Sequence, residues 1–150
     1  MIKKIAQQLA EMESMIPHVN LQNSAISHVS VGWHLAHNVL VINRVIGAVA
    51  QSDPTTYRPQ ASLNKWLFFL TKRIPRGKAK APKGVEPTPE MDIHEGLERA
   101  SIGLLNLMSV ERNQFFPHPY FGDLNRAKTI QFLWIHTEHH LKIAREILKK

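Results

Sequence analysis

Residues 125–150 read NRAKTIQFLWIHTEHHLKIAREILKK, and this run carries the clearest structural signal in the chain. On an α-helix each residue turns the chain by about 100°, so residues four positions apart share a face. One face of this run carries Thr129, Ile130, Leu133, His136, His140, Ala144, Ile147 and Leu148. The opposite face carries Glu138, Lys142, Arg145 and Glu146. The pattern predicts an amphipathic helix that directs His136 and His140 into the core.

His136 and His140 form a candidate metal pair, because neutral imidazole is the commonest protein ligand for zinc, nickel and iron. For each histidine taken singly, a core residue with a satisfied hydrogen bond is the simpler interpretation. The spacing resembles a zincin helix, but Thr137 occupies the position where a zincin needs glutamate. Glu138 points about 140° away from the core face, so it is poorly placed as a general base. Outside this pair, His118 follows a proline and is expected to lie in a turn.

The composition is that of an ordinary globular chain. Its 150 residues are 43% apolar and 21% charged, which suggests a single domain over residues 1–150. No apolar run reaches the ~20 residues that span a bilayer, and no signal-peptide region follows the N-terminus. We therefore expect a cytoplasmic protein without a membrane partner. The chain has no cysteine, which excludes disulfides, thiolate ligands and a cysteine nucleophile.

Apolar residues at three- and four-residue steps predict a helical bundle. The long helices are expected at Ile2–Met15, Ser30–Ala50, Thr88–Met108 and Asn125–Leu148, and a short helix at Leu63–Leu70 is expected to pack outside them. Ser27 or Ser30 can cap the second helix. A long Pro- and Gly-containing basic connection runs from Arg73 to Pro89, and no alternating strand pattern of useful length is present. The expected fold class is all-α, a four-helix bundle with one extra short helix and a long middle connection.

The second predicted helix offers the remaining ligand candidates. His34 and His37 lie about 60° apart on its surface, and one of them could complete a three-histidine set with His136 and His140. Spacing alone does not choose between the two. The helix is apolar almost all round, so we expect it to be central or covered by a partner, which favours a homodimer.

Three motifs resemble those of a known group. SVGWHLAH (30–37) looks like the early helix motif of the DinB/YfiT-like superfamily, and HTEHHL (136–141) looks like its late motif. HPYFGDL (118–124) is similar to the His-Pro-x-Phe-Gly-x-Leu element of one uncharacterised branch of that superfamily. The resemblance covers the chain from Ser30 onward, with the motifs in the right order and spacing.

The resemblance implies a DinB-type four-helix bundle in which His37, His136 and His140 hold a divalent metal ion. Zinc or nickel is expected ahead of iron or manganese. Characterised relatives include metal-dependent transferases and isomerases that use low-molecular-weight thiols. The late motif often continues with a glutamine, whereas Lys142-Ile143-Ala144 follows here, which leaves the substrate open.

Three neutral histidines leave at least one coordination position open, as in catalytic zinc sites. A metal ion there could activate a thiol or a water, so the expected activity on a small-molecule substrate is that of a hydrolase or, as the resemblance implies, a metal-dependent transferase that uses a thiol. The alternative is a non-catalytic binding module or homodimer with a structural or vestigial metal site. Arg44 is a candidate for a substrate carboxylate, and Trp33 and Trp134 are candidates for stacking on substrate. Their simpler roles are solvent contact for Arg44 and core packing for the tryptophans.

The net charge of +7 raises the question of an anionic partner. Basic residues cluster in and beside the middle connection: Lys72, Arg73, Arg76, Lys78, Lys80 and Lys83. No recognition helix, zinc knuckle or stacking-platform pattern accompanies them, so nucleic acid is not the expected partner. The basic surface would suit an anionic thiol cofactor.

Overall fold

The structure is a computed structural model that describes residues 1–76 and 83–149. This part of the chain is mostly helical, with α1 at Ile2–Met15, α2 at Val31–Gln51, α3 at Leu63–Thr71, α4 at Ile93–Ser109 and α5 at Arg126–Leu148. Short 3-10 helices cover Ile16–His18, Pro54–Thr56 and Lys83–Val85. An antiparallel pair of strands, β1 at Phe115–His118 and β2 at Gly122–Asn125, precedes α5.

The four long helices α1, α2, α4 and α5 surround one apolar core. Both α1 and α2 pack against α4 and α5, so each long helix has two long-helix neighbours. All four contribute side chains that are at most 2% exposed, namely Ile5, Met12, Leu35, Ile42, Leu107, Leu133, Leu141 and Ile147. The expectation of a mainly helical protein is therefore confirmed. Over residues 1–76 and 83–149, no helix combines the length and apolar character needed to cross a membrane.

Side-chain caps set the starts of two long helices. Ser30 Oγ accepts a hydrogen bond from the Trp33 N–H at 3.3 Å, and Asn125 Oδ1 accepts one from the Lys128 N–H at 3.0 Å. Such caps satisfy amides that have no partner within the helix. Helices α2 and α5 consequently begin one residue after the predicted starts, while α1 has its predicted bounds.

The predicted start of the third long helix at Thr88 is wrong. Asp92 Oδ1 accepts a hydrogen bond from the Glu95 N–H at 3.1 Å, so α4 begins at Ile93. The Thr88 carbonyl instead accepts from the Met91 N–H in a turn ahead of the helix. Aspartate ranks above threonine as an N-cap, and this explains why the later signal prevails.

The hairpin of β1 and β2 corrects the prediction of a purely α chain. Phe115 pairs with Asn125 and His118 pairs with Gly122, so each strand has only four residues. Strands this short, with Pro117 inside one of them, cannot show a useful alternating pattern. Gly122 has a φ of 63°, which a residue without Cβ adopts readily. The hairpin packs against α2 and α5 and so closes one side of the helical core.

The apolar surface of α2 is covered largely from within the chain. Helices α4 and α5 and strand β1 pack against it. The sequence feature that favoured a homodimer is therefore explained by intrachain contacts. Large apolar side chains are exposed elsewhere, on α3 at Leu63, Trp66, Leu67 and Leu70, and on α4 at Ile102, Leu105 and Met108.

Gly96 allows α4 to approach α2 closely. A Cβ at Gly96 would overlap with Cγ1 of Val39, and the Gly96 carbonyl accepts a hydrogen bond from Asn43 Nδ2 at 2.9 Å. We expect Gly96→Ala to lower the free energy of unfolding by about 1–3 kcal/mol, because overpacking outweighs the gain in helix propensity. Urea denaturation measures this change.

Gly47→Ala is the matched control for Gly96→Ala. Gly47 also lies inside a helix, but a Cβ there would meet no atom of residues 1–76 or 83–149 within 4 Å. Alanine should therefore raise the free energy of unfolding by about 0.5–1 kcal/mol. Effects of the same sign and size at the two glycines would contradict the close approach of α4 to α2.

Candidate metal centre

Three histidines from two helices converge beside the core. His37 lies on α2, and His136 and His140 lie one turn apart on α5. One ring nitrogen from each can be chosen so that all three lie within 4.8 Å of one another. The ring centroids are 4.6–5.2 Å apart. Ligand nitrogens around a tetrahedral zinc ion are about 3.3 Å apart, so the three nitrogens are at most about 1.5 Å farther apart than the ligands of a bound ion.

His37 is held in a defined tautomer. Its Nδ1 lies 2.7 Å from the Val85 carbonyl oxygen, which can only accept, so Nδ1 donates and Nε2 is free for a metal ion. The indole of Trp33 stacks on the imidazole at 4.9 Å with an interplanar angle of 9°. Burial lowers the pKa of His37, although the hydrogen bond to Val85 partly offsets it. The ring is therefore oriented and neutral, as a ligand must be.

His136 provides a test of whether the site suits a metal ion. Its Nδ1 atom is buried and has no hydrogen-bond partner among the described residues. A buried nitrogen without a partner is costly, and a bound cation is one group that would satisfy an imidazole nitrogen. The donor set of three neutral imidazoles without a carboxylate suits zinc or nickel.

His34 contacts the imidazole of His140. The Nδ1 atoms of these two residues are 2.9 Å apart, and His34 Nε2 lies 3.0 Å from Ser27 Oγ. Ser27 therefore contacts His34, while Ser30 caps α2. The sequence identified His34 only as a rival to His37 for the third ligand position. In the structure it contacts His140, one of the three convergent histidines.

Burial is the first cause of the low pKa of each histidine in this region. It lowers the pKa of His34 to about 4, with smaller effects from His37, His139 and Arg76. The pKa values of His136 and His140 are also lowered, first by burial and then by neighbouring histidines. All of these imidazoles are therefore neutral near pH 7, which is the form in which a histidine binds a metal ion.

Glu138 is bound on the α1 side of α5, away from the three ligands. Arg145 Nη1 donates to its carboxylate at 2.6 Å, Gln8 Nε2 donates at 2.9 Å, and Arg145 also binds both oxygens of Glu11. Burial acts to raise the pKa of Glu138, but the hydrogen bonds from Arg145 and Gln8, together with the charges of Arg145 and Lys142, outweigh it and keep the pKa below its ordinary value. The carboxylate thus ties α1 to α5, in agreement with the prediction that it is a poor base.

Residues 6–146 match the family described as "Protein of unknown function (DUF1569)". The chain belongs to this family. The matched segment contains all three candidate ligands. No curated protein and no solved structure matches the chain. The family description names no activity.

The two candidate substrate tryptophans lie in different surroundings. Trp33 lies beside the ligands, with its ring centre 6.3 Å from that of His140. The ring of Trp134 instead has the ammonium groups of Lys4 and Lys72 at 5.4 and 5.8 Å from its centre. A substrate contact by either residue stays a prediction, and the position of Trp33 favours it more.

Arg44 lies next to the segment that holds His37. Its guanidinium occupies the space where a Cβ of Gly84 would lie, one residue before the carbonyl of Val85. Arg44 is exposed, so a substrate carboxylate could reach it. Its role as a substrate contact also stays a prediction.

The basic segment of the middle connection is described only in part. Lys78 and Lys80 lie outside the described residues, as does the side chain of Lys83. Arg76 forms an exposed ion pair with Glu146 at 2.8 Å. The expectation that nucleic acid is not a partner stays a prediction.

His118, which the sequence assigns to a turn, is the last residue of β1. Its Nδ1 accepts a hydrogen bond from the Tyr120 N–H at 3.1 Å. Its ring stacks on Phe121 with centroids 4.4 Å apart and meets Phe132 edge-on at 4.8 Å. Burial, with a smaller effect from Lys65, lowers the pKa of His118 to about 4.

The low pKa of His118 predicts a pH dependence of stability. The unfolded chain binds more protons than the folded one between the ordinary pKa of 6.5 and about 4. Stability from this residue is therefore complete above pH 6.5 and decreases as the pH falls toward about 4, by at most about 1.4 kcal/mol per pH unit. We expect His118→Phe to lose less stability than wild type between about pH 7 and about pH 5.

Urea denaturation of the metal-free protein at the two pH values measures the His118 effect. His94→Phe is the matched control, because His94 is exposed on α4. It should show the wild-type pH dependence. A wild-type pH dependence in His118→Phe as well would contradict the prediction.

Proposed function

We propose that this DUF1569 chain binds one divalent metal ion through His37, His136 and His140. The observation that carries the proposal is the convergence of one nitrogen from each ring within 4.8 Å. The hydrogen bond from His37 to Val85 and the buried, unpartnered Nδ1 of His136 support it. Three imidazole ligands favour zinc or nickel ahead of iron or manganese.

We also propose that the fold is a four-helix bundle of the DinB type. The motif order in the sequence supports this assignment. So does the arrangement of four long helices around one core, with candidate ligands on the two neighbouring helices α2 and α5. Bundle proteins commonly build metal sites from side chains on facing helices in this way.

The proposed activity is one of two reactions of a small-molecule substrate: transfer of a low-molecular-weight thiol to it, or its hydrolysis. A divalent ion at three neutral histidines would lower the pKa of a water or thiol at its open position. Burial keeps the histidines neutral, and Trp33 covers one side of the His37 ring. Glu138 is committed to Arg145, so proton transfer by this carboxylate is not part of the proposal. Arg44, Trp33 and Trp134 are the proposed substrate contacts.

A thermal-shift screen tests this activity. The metal-loaded protein is mixed with low-molecular-weight thiols, and the change in Tm is measured. Assays with electrophilic acceptors, esters and amides follow. We expect a stabilising thiol whose effect disappears in His140→Ala. If no thiol raises Tm and no ester or amide is turned over at full metal occupancy, the enzyme proposal should be abandoned.

A non-catalytic binding module or homodimer is the second candidate. Exposed apolar residues favour it, since Trp66 on α3 is 60% exposed and Leu105 on α4 is 65% exposed. Light scattering of the full chain distinguishes a monomer from a dimer. A monomer in solution would exclude the homodimer proposal, whereas a dimer that shows no turnover in the assays above would support it.

A further inference from the structure

We propose that His34 is a positioning residue of the metal centre, which fixes the tautomer in which His140 meets the ion. The inference rests on the proposed function, because it concerns the same three-histidine site. His34 is only 4% exposed, and its Nδ1 lies 2.9 Å from Nδ1 of His140. On its other side, Nε2 of His34 lies 3.0 Å from Ser27 Oγ. Both nitrogens of this buried ring therefore have partners.

The positions of the hydrogens follow from the neighbours of each atom. Since Nδ1 of His140 is occupied by His34, the nitrogen that remains for a metal ion is Nε2. His140 then carries its hydrogen on Nδ1 and donates it to Nδ1 of His34. His34 in turn carries its hydrogen on Nε2 and donates it to Ser27 Oγ, which also accepts from the Val29 N–H at 3.2 Å. Each hydrogen bond in this series is thus donated in the direction away from the metal centre, from His140 to His34 and from His34 to Ser27.

His37 and His140 are held in the same manner by different groups. The Val85 carbonyl accepts a hydrogen bond from Nδ1 of His37, and His34 has the corresponding place behind His140. A partner at the nitrogen that does not bind metal orients the ring and raises its basicity as a ligand. Loss of such partners typically weakens metal binding by about 10–100-fold.

The hydrogen bonds also connect the metal centre to the segment before α2. Ser27 lies between the 3-10 helix Ile16–His18 and the start of α2. An ion that fixes His140 would fix His34 and, through it, Ser27. We therefore expect the Val29 amide, which donates to Ser27 Oγ, to exchange its hydrogen more slowly after zinc is added.

The test compares Zn²⁺ dissociation constants by competition with a chromophoric chelator. His34→Ala should weaken zinc binding by about 10–100-fold. His34→Gln should restore part of the affinity, because an amide can accept from His140 and donate to Ser27. Ser27→Ala should cost less, about 2–10-fold, since one hydrogen bond to His34 is lost.

Ser30→Ala is the matched control for Ser27→Ala. Ser30 also accepts a hydrogen bond at the start of α2, but the donor is the Trp33 N–H. Its loss should lower stability and leave zinc affinity unchanged. Long-range ¹H–¹⁵N NMR of the zinc-loaded protein gives an independent readout. We expect a proton on Nδ1 of His140, a proton on Nε2 of His34, and no zinc on either nitrogen of His34.

Wild-type zinc affinity in a folded His34→Ala would overturn the inference. An NMR signature of zinc on a His34 nitrogen would overturn it too, because His34 would then be a ligand. If His34→Ala fails to fold, His34→Gln and the NMR tautomers of wild type decide the matter. A wild-type protein that takes up no divalent ion would instead overturn the proposed function itself, and this inference with it.

Discussion

Replacing His140 with alanine is expected to abolish stoichiometric metal binding. Two imidazoles would remain, and Nδ1 of His34 would lose its hydrogen-bond partner at the same time. His37→Ala and His136→Ala should have the same effect, since each removes one of three ligands. Elemental analysis after loading with Zn²⁺ or Ni²⁺ and dialysis measures the metal content. It should fall from about one ion per chain in the wild type to nearly none in each variant.

His139→Ala is the matched control for the ligand variants. His139 is the sequence neighbour of His140 and meets its ring edge-on at 5.0 Å, but it lies outside the three-nitrogen group. The variant should therefore keep its metal ion. Equal metal loss in His139→Ala would show that the assignment of helix faces on α5 is wrong.

The largest loss of stability among the predicted substitutions is expected for Leu133→Ala. Leu133 is fully buried on α5, one turn before His136. Removing its buried methyl groups leaves a cavity between packed helices, which costs about 2–5 kcal/mol. Leu105→Ala on α4 removes the same atoms from a side chain that is 65% exposed, and its effect should stay within about 0.5 kcal/mol.

Urea denaturation in the presence of EDTA measures both leucine variants. In a second measurement without EDTA, free zinc at about 100 times its Kd should restore about 2.7 kcal/mol to the free energy of unfolding of Leu133→Ala, because the ion binds the folded state. The same zinc concentration should not stabilise His140→Ala. Equal losses in Leu133→Ala and Leu105→Ala would contradict the packing of α5 in the core.

The helices were the most predictable part of this protein. The bounds of α1 and, to within one residue, the starts of α2 and α5 follow from signals within a few residues of each helix end. The start of α4 was missed because Thr88-Pro89 and Asp92 are competing local signals, and the structure uses the aspartate. The hairpin was missed because its pairing of Phe115 with Asn125 leaves no pattern in strands of four residues.

Helix periodicity also gave part of the candidate site. It predicted that His136 and His140 share the face directed at the core, and the structure brings both against His37. Spacing alone could not choose between His34 and His37, because both lie near the same face of α2. The resemblance to known motifs selected His37, and the structure includes that residue in the convergent group.

Sequence alone determined the number and approximate positions of the long helices and which of their faces are apolar, since these properties depend on residues three or four positions apart. Tertiary structure decided which side chains contact each other at the candidate site. The contact of His34 with His140 joins residues 106 positions apart, and that of His37 with Val85 joins residues 48 positions apart. Contacts over such separations depend on how packed helices are placed and on the path of the middle connection, which no local periodicity encodes.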